Sequence, residues 1–327
     1  MARDRIRGAV LSEFALIDML RERCAHARSD VALGIGDDAA VLDMPRGQRL
    51  AACTDTLVAG VHFPAATTPE DIGWKSLAVN LSDLAAMGAD PAWALLALTL
   101  PDADARFVER FANGFAELAD RHAVALVGGD ITQGPLCVTV TALGFVPRDR
   151  VLTRSGARAG DVVYVTGTLG DSAGALKLLP AGDVVPAVLR TRLDRPDPRV
   201  AAGIALRGLA SACIDVSDGL VADIGHVCHA SGVGAELDVA TLPLSAALQT
   251  AFDPVACRGL ALAGGDDYEL CFTTPPECEG RIASALGAAE CGVTRIGRIV
   301  AGAGVRVRDA GGNEIEITHA GWEHFSR

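Results

Sequence analysis

The stretch Gly34-Ile35-Gly36-Asp37-Asp38-Ala39-Ala40 constrains this chain most, because a glycine turn ends there in two adjacent carboxylates. A tight glycine turn lets backbone N–H groups approach a phosphate, but two carboxylates repel that phosphate unless a cation lies between them. Two like charges about 4 Å apart cost roughly 1 kcal/mol in water and about 4 kcal/mol near a protein surface. The stretch therefore predicts one side of a site for a divalent metal ion and a phosphate.

The length of the chain predicts two domains, since 327 residues exceed the size at which one hydrophobic core usually keeps growing. Half of the residues are hydrophobic but only 4% are aromatic, and 36 are glycine, which is typical of an α/β protein packed with small side chains. The basic, glycine-punctuated segment 147–160 marks the expected boundary between residues 1–148 and residues 149–327.

Charge and cysteine content exclude several classes of protein. The chain has 29 basic and 41 acidic residues, and this net charge of −12 argues against a nucleic-acid partner. Its nine cysteines are scattered and form no CxxC pair, so we expect reduced thiols in a cytoplasmic protein. No signal-peptide pattern and no apolar run of about 18 residues is present, so we expect no membrane span.

Hydrophobic periodicity predicts strands that alternate with helices, some of them joined by hairpin-length connections. Thr68-Pro69-Glu70-Asp71 is a strong helix start, and that helix carries Asp83 before it stops at Gly88. A strand over 123–127 is expected to end in Gly128-Gly129-Asp130. The predicted fold class is α/β (α+β), with mixed sheets flanked by helices.

Aspartates recur at the ends of predicted strands and in first turns. The positions are Asp37, Asp38, Asp55, Asp130, Asp215, Asp218, Asp266 and Asp267, with Asp83 added inside an apolar helix. Any one of them has a structural explanation, because Asp favours turns and helix caps. As a set of hard oxygen ligands with no matching His or Cys, they predict a magnesium site.

Other nucleotide and metal motifs fit less well. Gly34-x-Gly36-x-x-Ala39 formally matches a dinucleotide fingerprint, but Pro45 interrupts the helix that the fingerprint requires. His226, Cys228 and His229 lie on one predicted helix without partners at ligand spacing, so a structural role is expected for them.

Together, the motifs resemble the thiamine-monophosphate kinase family, within the superfamily of aminoimidazole ribonucleotide synthetase and selenophosphate synthetase. The resembling segments are GIGDDAAVL (34–42), TDTLVAGVHF (54–63), KSLAVNLSDLAAMGADP (75–91), GGD (128–130), LTRSGARAGD (152–161), IDVSDGL (214–220) and GGDDYELCF (264–272). They follow the family's order over nearly the whole length.

The resemblance implies in-line transfer of the γ-phosphoryl group of ATP onto the phosphate of thiamine monophosphate, which gives thiamine diphosphate and ADP. It implies several Mg²⁺ ions and ATP as co-substrate, with K⁺ as a further candidate cation. It also implies a two-domain aminoimidazole ribonucleotide synthetase-like fold and a homodimer in which the first-half sheets of two subunits pair. Residues 1–148 would be the ATP/Mg-binding and dimerisation domain, and residues 149–327 a C-terminal α/β domain.

The same resemblance assigns site residues. Metal ligands would be Asp38, Thr54, Asp55, Asp83, Asp130, Asp215 and Asp218. Catalytic roles would fall to Asp55, Asp130 and Asp218. ATP contacts would come from Gly129, Asp130, Arg154 and Ser217. Substrate contacts would come from His62, Glu269 and Trp322.

This sequence departs from the family pattern at a few positions. Cys53 stands where relatives often have serine, Asp266 replaces a frequent glutamate, and segment 107–115 offers no tyrosine for the adenine. Two alternatives to the kinase reaction also stay open. One is another ATP-dependent reaction of the superfamily, such as ring closure or selenophosphate formation. The other is a non-catalytic regulator that binds nucleotide and magnesium.

Overall fold

The computed structural model describes residues 12–24, 26–180, 182, 184–317, 319 and 321–323. The chain forms two compact units. Unit 1 comprises Met1–Arg46, Ala52–Asn80 and Pro91–Gly144, and unit 2 comprises Gly47–Ala51, Leu81–Asp90 and Phe145–Arg327. The functions assigned above to residues 1–148 and 149–327 stay predictions.

The first half of the chain alternates helices and strands as the hydrophobic pattern predicts. Its elements are α1 (Glu13–Cys24), β1 (Val31–Leu33), β2 (Val41–Leu42), β3 (Gln48–Val58), α2 (Pro69–Ala86), β4 (Asp90–Leu100), α3 (Ala105–Arg121), β5 (Ala125–Gln133) and β6 (Cys137–Pro147). Four strands form a sheet in the order β3-β6-β4-β5, in which β4 and β5 are parallel. Strands β1 and β2 form a separate antiparallel pair.

One face of this four-stranded sheet is covered and the other is open. Along β4, Leu96 and Leu98 are buried, whereas Leu95 and Ala97 are exposed, as expected for side chains that alternate between two faces. Helix α2 lies against β3, where the Cys53 thiol donates to the carbonyl of Asn80 at 3.3 Å. The open face therefore presents residues at every second position of the strands.

Two glycines let helices α2 and α3 cross in close contact. A Cβ atom at Gly73 would lie 2.1 Å from the carbonyl oxygen of Phe111, and one at Gly114 would lie 1.8 Å from that of Glu70. Each helix also has a side-chain cap. The hydroxyl of Thr68 accepts from the Asp71 N–H before α2, and Asp104 accepts from two N–H groups at the start of α3.

The second half contains the larger sheet. Its elements are β7 (Val162–Thr166), α4 (Asp171–Leu178), α5 (Ala187–Asp194), α6 (Val200–Ala205), β8 (Ala212–Asp215), α7 (Leu220–Ser231), β9 (Gly234–Asp238), α8 (Ala246–Ala251), α9 (Pro254–Ala263), β10 (Leu270–Thr274), α10 (Glu279–Ala288), β11 (Val293–Val300), β12 (Gly304–Arg308) and β13 (Glu314–Ile315). The strand order is β13-β12-β9-β11-β7-β10-β8. Strands β12 and β9 pair in parallel, which makes this a mixed sheet and confirms the predicted fold class.

Some element boundaries differ from the sequence prediction. The strand expected to end at Gly128-Gly129-Asp130 continues through these residues to Gln133, because the register shifts once at Val127 and the two glycines then pair regularly with Leu95 and Leu96 of β4. The sequence pattern also predicts a helix over 198–210, but the helix there is only α6, Val200–Ala205, and the chain turns at Gly208 with φ 75°.

Two whole-chain expectations can be compared with the structure. Within the described part of the chain, no helix combines the length and apolar character that a membrane crossing needs. All nine cysteines are free thiols, as their scattered spacing predicts.

Candidate active site

The glycine turn of unit 1 borders a cavity of about 820 Å³. Gly36 has φ +128°, a conformation that favours glycine, and the turn places Asp37 and Asp38 at the surface. The Asp38 N–H donates to the Asp37 carboxylate at 2.9 Å. Asp38 and Gly129 line this same cavity, so the structure brings a predicted metal ligand and a predicted nucleotide contact together. The volume falls in the range of small-molecule sites.

Thr54 and Asp55 are adjacent residues of β3, so their side chains point to opposite faces of the sheet, and Thr54 is exposed whereas Asp55 is half-buried. The Thr54 hydroxyl donates to the Val140 carbonyl at 3.1 Å and accepts from the Thr141 hydroxyl at 3.0 Å. This hydroxyl is therefore already used twice within the sheet. Of the two predicted ligands, Asp55 has the stronger donor group for a cation, since a carboxylate is charged.

Gly129 has a steric reason to be glycine. Its φ is +149°, and a Cβ atom there would lie 1.9 Å from the carbonyl oxygen of Leu96 on β4. The next residue, Asp130, pairs in register with Ala97 and is exposed. The two glycines thus let β5 approach β4 closely, and the strand then presents the Asp130 carboxylate at the surface.

His62 is held by its own loop. Its Nδ1 accepts the N–H of Val58 at 3.0 Å, so a neutral His62 carries its proton on Nε2. The Lys75 ammonium, only 1% exposed, donates to the carbonyl of His62 at 3.2 Å. The ring and backbone of His62 are therefore both oriented by contacts within unit 1.

In unit 2, Asp223 organises the loop that carries Ser217 and Asp218. Its Oδ2 accepts the N–H groups of Ser217, Asp218 and Gly219 at 3.1, 3.1 and 3.0 Å. Burial and the nearby charge of Asp215 raise the pKa of Asp223 to about 7. Asp223 is absent from the residues predicted from sequence, although an aspartate in the first turn of α7 is a recognisable anchoring position.

Asp215 lies at the end of β8 and is buried. The Ser82 hydroxyl, on the last turns of α2, donates to its Oδ2 at 2.7 Å. Asp83 is the next residue of that helix and is half-buried. Within unit 2, the structure therefore brings the helix turn that carries Asp83 to the strand end that carries Asp215.

A second aspartate-rich loop, residues 264–269, is hydrogen-bonded to the loop that carries Ser217 and Asp218. Asp266 has φ 65° and Tyr268 has φ 50°, a left-handed conformation that is strained for residues other than glycine. The Asp266 N–H donates to the Ser217 carbonyl, and the Tyr268 N–H donates to the Val216 carbonyl, both at 2.8 Å. These backbone bonds hold the strained loop against the loop of Asp218.

Glu269 is fully buried and surrounded by cations. Its carboxylate accepts from Arg192 at 2.7 Å, from Arg199 at 2.7 Å and from the Thr166 hydroxyl at 2.6 Å. Two guanidinium groups thus neutralise its charge. Its predicted contact with the substrate stays a prediction, and the structure gives Glu269 a second task, which is to order Arg192 and Arg199.

Arg154 is exposed in a loop whose backbone is fixed by Ser231 at the end of α7. The Ser231 hydroxyl accepts from the N–H groups of Gly156 and Ala157 at 3.1 and 3.2 Å, and donates to the Arg154 carbonyl at 3.2 Å. The loop is therefore anchored while the guanidinium group stays at the surface. Ser231 is a second supporting residue that the sequence does not reveal, because it is distant in the chain from the Arg154 loop that it anchors.

Trp322 lies beside the loop of Asp218. Its backbone N–H donates to the backbone carbonyl of Asp218 at 2.9 Å. The residue as a whole is 59% exposed. Gly321 lies so close that a Cβ atom there would be 2.7 Å from the same carbonyl oxygen. The structure therefore brings a predicted substrate contact, Trp322, next to a predicted metal ligand and a predicted ATP contact, Asp218 and Ser217.

Comparison with known proteins agrees with this picture of the molecule. Residues 36–146 match the model of the AIR synthase related protein N-terminal domain, and residues 158–310 match that of the C-terminal domain. The chain is 48% identical over 319 residues to the thiamine-monophosphate kinase of Escherichia coli K12, a match that covers 96% of this chain and 98% of that protein.

Two solved structures are similar over nearly the whole chain. The crystal structure of thiamine-monophosphate kinase from Stenotrophomonas maltophilia has a TM-score of 0.86 and 50% identity, covering 91% of this chain and 96% of that one. The structure of AaThiL complexed with AMPPCP and TMP has a TM-score of 0.77 and 36% identity, covering 96% of this chain and 97% of that one.

Proposed function

This chain belongs to the AIR synthase related family, in its thiamine-monophosphate kinase branch, and we propose that it transfers the γ-phosphoryl group of ATP onto thiamine monophosphate. The products are thiamine diphosphate and ADP. The observation that carries the proposal is the near full-length similarity to a thiamine-monophosphate kinase, at 48% identity. The similar fold of AaThiL, which was solved with AMPPCP, an ATP analogue, and TMP, supports the same pair of substrates.

Transfer of a phosphoryl group between two polyanions depends on in-line placement and charge neutralisation, and needs little covalent chemistry from the protein. Bound magnesium would supply the neutralising charge at the phosphate oxygens. The donor set fits this ion, because it consists of carboxylates and one threonine. In unit 1 the proposed ligands are Asp38, Thr54, Asp55 and Asp130, and in unit 2 they are Asp83, Asp215 and Asp218. Of these, Asp55, Asp130 and Asp218 would be the catalytic carboxylates.

The nucleotide contacts are proposed for Gly129, Asp130, Arg154 and Ser217. The exposed guanidinium of Arg154 can donate two parallel hydrogen bonds to a phosphate. At Gly129 the absence of a side chain leaves the backbone accessible next to the 820 Å³ cavity. The loop of Ser217 is held in place by Asp223, which reduces the entropy lost when a ligand binds.

The thiamine contacts are proposed for His62, Glu269 and Trp322. The thiazolium ring is a flat cation, and the exposed indole of Trp322 offers it an aromatic face. His62 would present its Nε2–H. Glu269 would act through the two arginines that it orders, because its own charge is already neutralised.

The roles of the two domains, the oligomeric state, the cellular location and a further cation are proposed from the same assignment. We propose that residues 1–148 bind ATP and magnesium and form a homodimer through the open face of the four-stranded sheet, and that residues 149–327 form the C-terminal α/β domain. Exposed Leu95 and Ala97 on that face support the dimer. The free thiols support a cytoplasmic location. K⁺ is a further candidate cation.

The direct test is an assay of the purified chain with Mg-ATP and one acceptor at a time. We expect ADP and thiamine diphosphate to form in equal amounts with thiamine monophosphate. Aminoimidazole precursors and selenide, the acceptors of the related reactions, should release no ADP. ADP release with one of those acceptors and none with thiamine monophosphate would refute the proposal. Nucleotide binding without any turnover would favour the regulator.

A further inference from the structure

Three side chains at the start of helix α7 form a group that the proposed magnesium ligands do not account for. Asp218, Asp223 and His226 each offer one ligand atom, and these atoms all lie within 4.8 Å of one another. Asp223 and His226 are three residues apart on α7 and therefore share a face of the helix. The loop before the helix adds Asp218. The sequence left His226 without partners at ligand spacing, and the fold supplies them.

Both helix residues have a ligand atom available. Among the described residues, every hydrogen bond to the Asp223 carboxylate ends on Oδ2, so Oδ1 is left for another partner. His226 is exposed, and no residue in the described part of the chain hydrogen-bonds to its imidazole. The group therefore combines the free oxygen of a carboxylate on a largely buried residue with an imidazole that solvent can reach.

Local electrostatics also favour a cation here. Asp223 is 2% exposed, yet within the described ranges it forms no ion pair with Lys or Arg. Buried charges are normally paired or bound to metal. The N–H groups of Ser217 and Asp218, which precede α7, and of its N-cap Gly219 donate to Asp223 Oδ2 and offset only part of the local negative charge, because Asp218 adds a second carboxylate.

We propose that Asp218, Asp223 and His226 bind a borderline divalent cation, Zn²⁺ or Co²⁺, in preference to Mg²⁺. Imidazole nitrogen is a good ligand for these ions, whereas Mg²⁺ prefers oxygen. Three protein ligands leave a position open for water or a substrate oxygen. The site shares Asp218 with the proposed magnesium ligands, so Zn²⁺ bound here would compete with Mg²⁺ for that carboxylate. The inference stands on the geometry of unit 2 and does not require kinase activity.

The test is a Co²⁺ titration of the metal-free full-length chain, without ATP or thiamine monophosphate, followed by visible absorption. We expect the wild type to bind Co²⁺ with a d–d spectrum and to release it to Zn²⁺. His226→Ala removes a direct ligand and should weaken Co²⁺ binding at least about 10-fold, since loss of even a residue that only orients a ligand costs this much. His229→Ala, which removes the other exposed histidine of α7, is the matched control and should bind like the wild type.

Three results would overturn the proposal. One is unchanged Co²⁺ affinity in His226→Ala, and another is an equal loss in His229→Ala. The third is a thiolate charge-transfer band, which would assign the bound Co²⁺ to a cysteine. Because no substrate is present, failure of this test leaves the proposed kinase reaction standing, and failure of the kinase assay leaves a positive Co²⁺ result standing.

Discussion

At the scale of single residues, the candidate site depends on carboxylates that do two different kinds of work. Asp38 and Asp130 are exposed and can face a ligand. Asp223 and Glu269 are buried: the carboxylate of Asp223 accepts hydrogen bonds from backbone N–H groups, and that of Glu269 is paired with arginines. A buried carboxylate is retained only where such partners offset its desolvation. The exposed aspartates are therefore candidates for chemistry, whereas Asp223 and Glu269 also hold a loop and two arginine side chains in position, and Asp223 does so through Oδ2 alone, which leaves Oδ1 for the proposed cation.

Asp55 is the sharpest single-residue test of the kinase proposal. Asp55→Asn keeps the shape of the side chain but removes the charge that would hold a cation, so kcat should fall at least about 100-fold. Steady-state formation of thiamine diphosphate measures this. Asp102→Asn, at an exposed aspartate away from the site, should retain wild-type turnover. Equal activity of Asp55→Asn and the wild type would remove Asp55 from the catalytic set.

At the scale of elements, glycine decides how closely two segments approach. Strand β5 does not end at its glycines, as the sequence suggested, because Gly129 permits a contact with the Leu96 carbonyl that no side chain could accommodate. The same principle governs the crossing of α2 and α3 at Gly73 and Gly114. In each case the missing Cβ atom is what allows the neighbouring backbone to lie there.

Gly129→Ala tests this contact. The new methyl group would lie 1.9 Å from the Leu96 carbonyl oxygen in a backbone conformation with φ +149°, so β5 must shift. Overpacking of this kind costs about 1–3 kcal/mol, and a lower midpoint of thermal unfolding should report it. Gly280→Ala in α10, where a Cβ atom meets nothing within 4 Å, should leave the midpoint unchanged or raise it. A Gly129→Ala midpoint equal to that of the wild type would contradict the steric argument.

At the scale of the whole molecule, one sheet face is left open. The open face of β3-β6-β4-β5 exposes Leu95 and Ala97, and the proposed homodimer would cover it. A monomer would leave this face in water.

Ala97→Glu places a charge on this open face, where the monomer has room for it because Ala97 is exposed. A buried unpaired charge at the interface should shift the protein from dimer to monomer, which sedimentation velocity would measure. Val255→Glu, at a residue 70% exposed in unit 2, should remain dimeric. A dimer that survives Ala97→Glu, or a wild type that is monomeric, would refute this interface.

Much of the fold could be read from local pattern. The capped start of α2 at Thr68 and Pro69 depends on neighbours a few residues away, so sequence alone predicted it. Short helices such as α5 and α9 escaped prediction, because few residues carry their periodic signal. The motifs around Asp38, Asp55, Asp130 and Asp218 likewise identified the family before any contact was known.

Sequence by itself determined which groups this protein brings to its chemistry: the oxygen-rich loops, the glycines beside them and the family to which they belong. Only the tertiary structure decided what surrounds each group. It enclosed Glu269 between Arg192 and Arg199, anchored the loop of Asp218 on Asp223, and brought His226 to both aspartates. The physical reason is that charge neutralisation and metal ligation depend on distances of a few ångströms, and those distances join residues that the chain order separates.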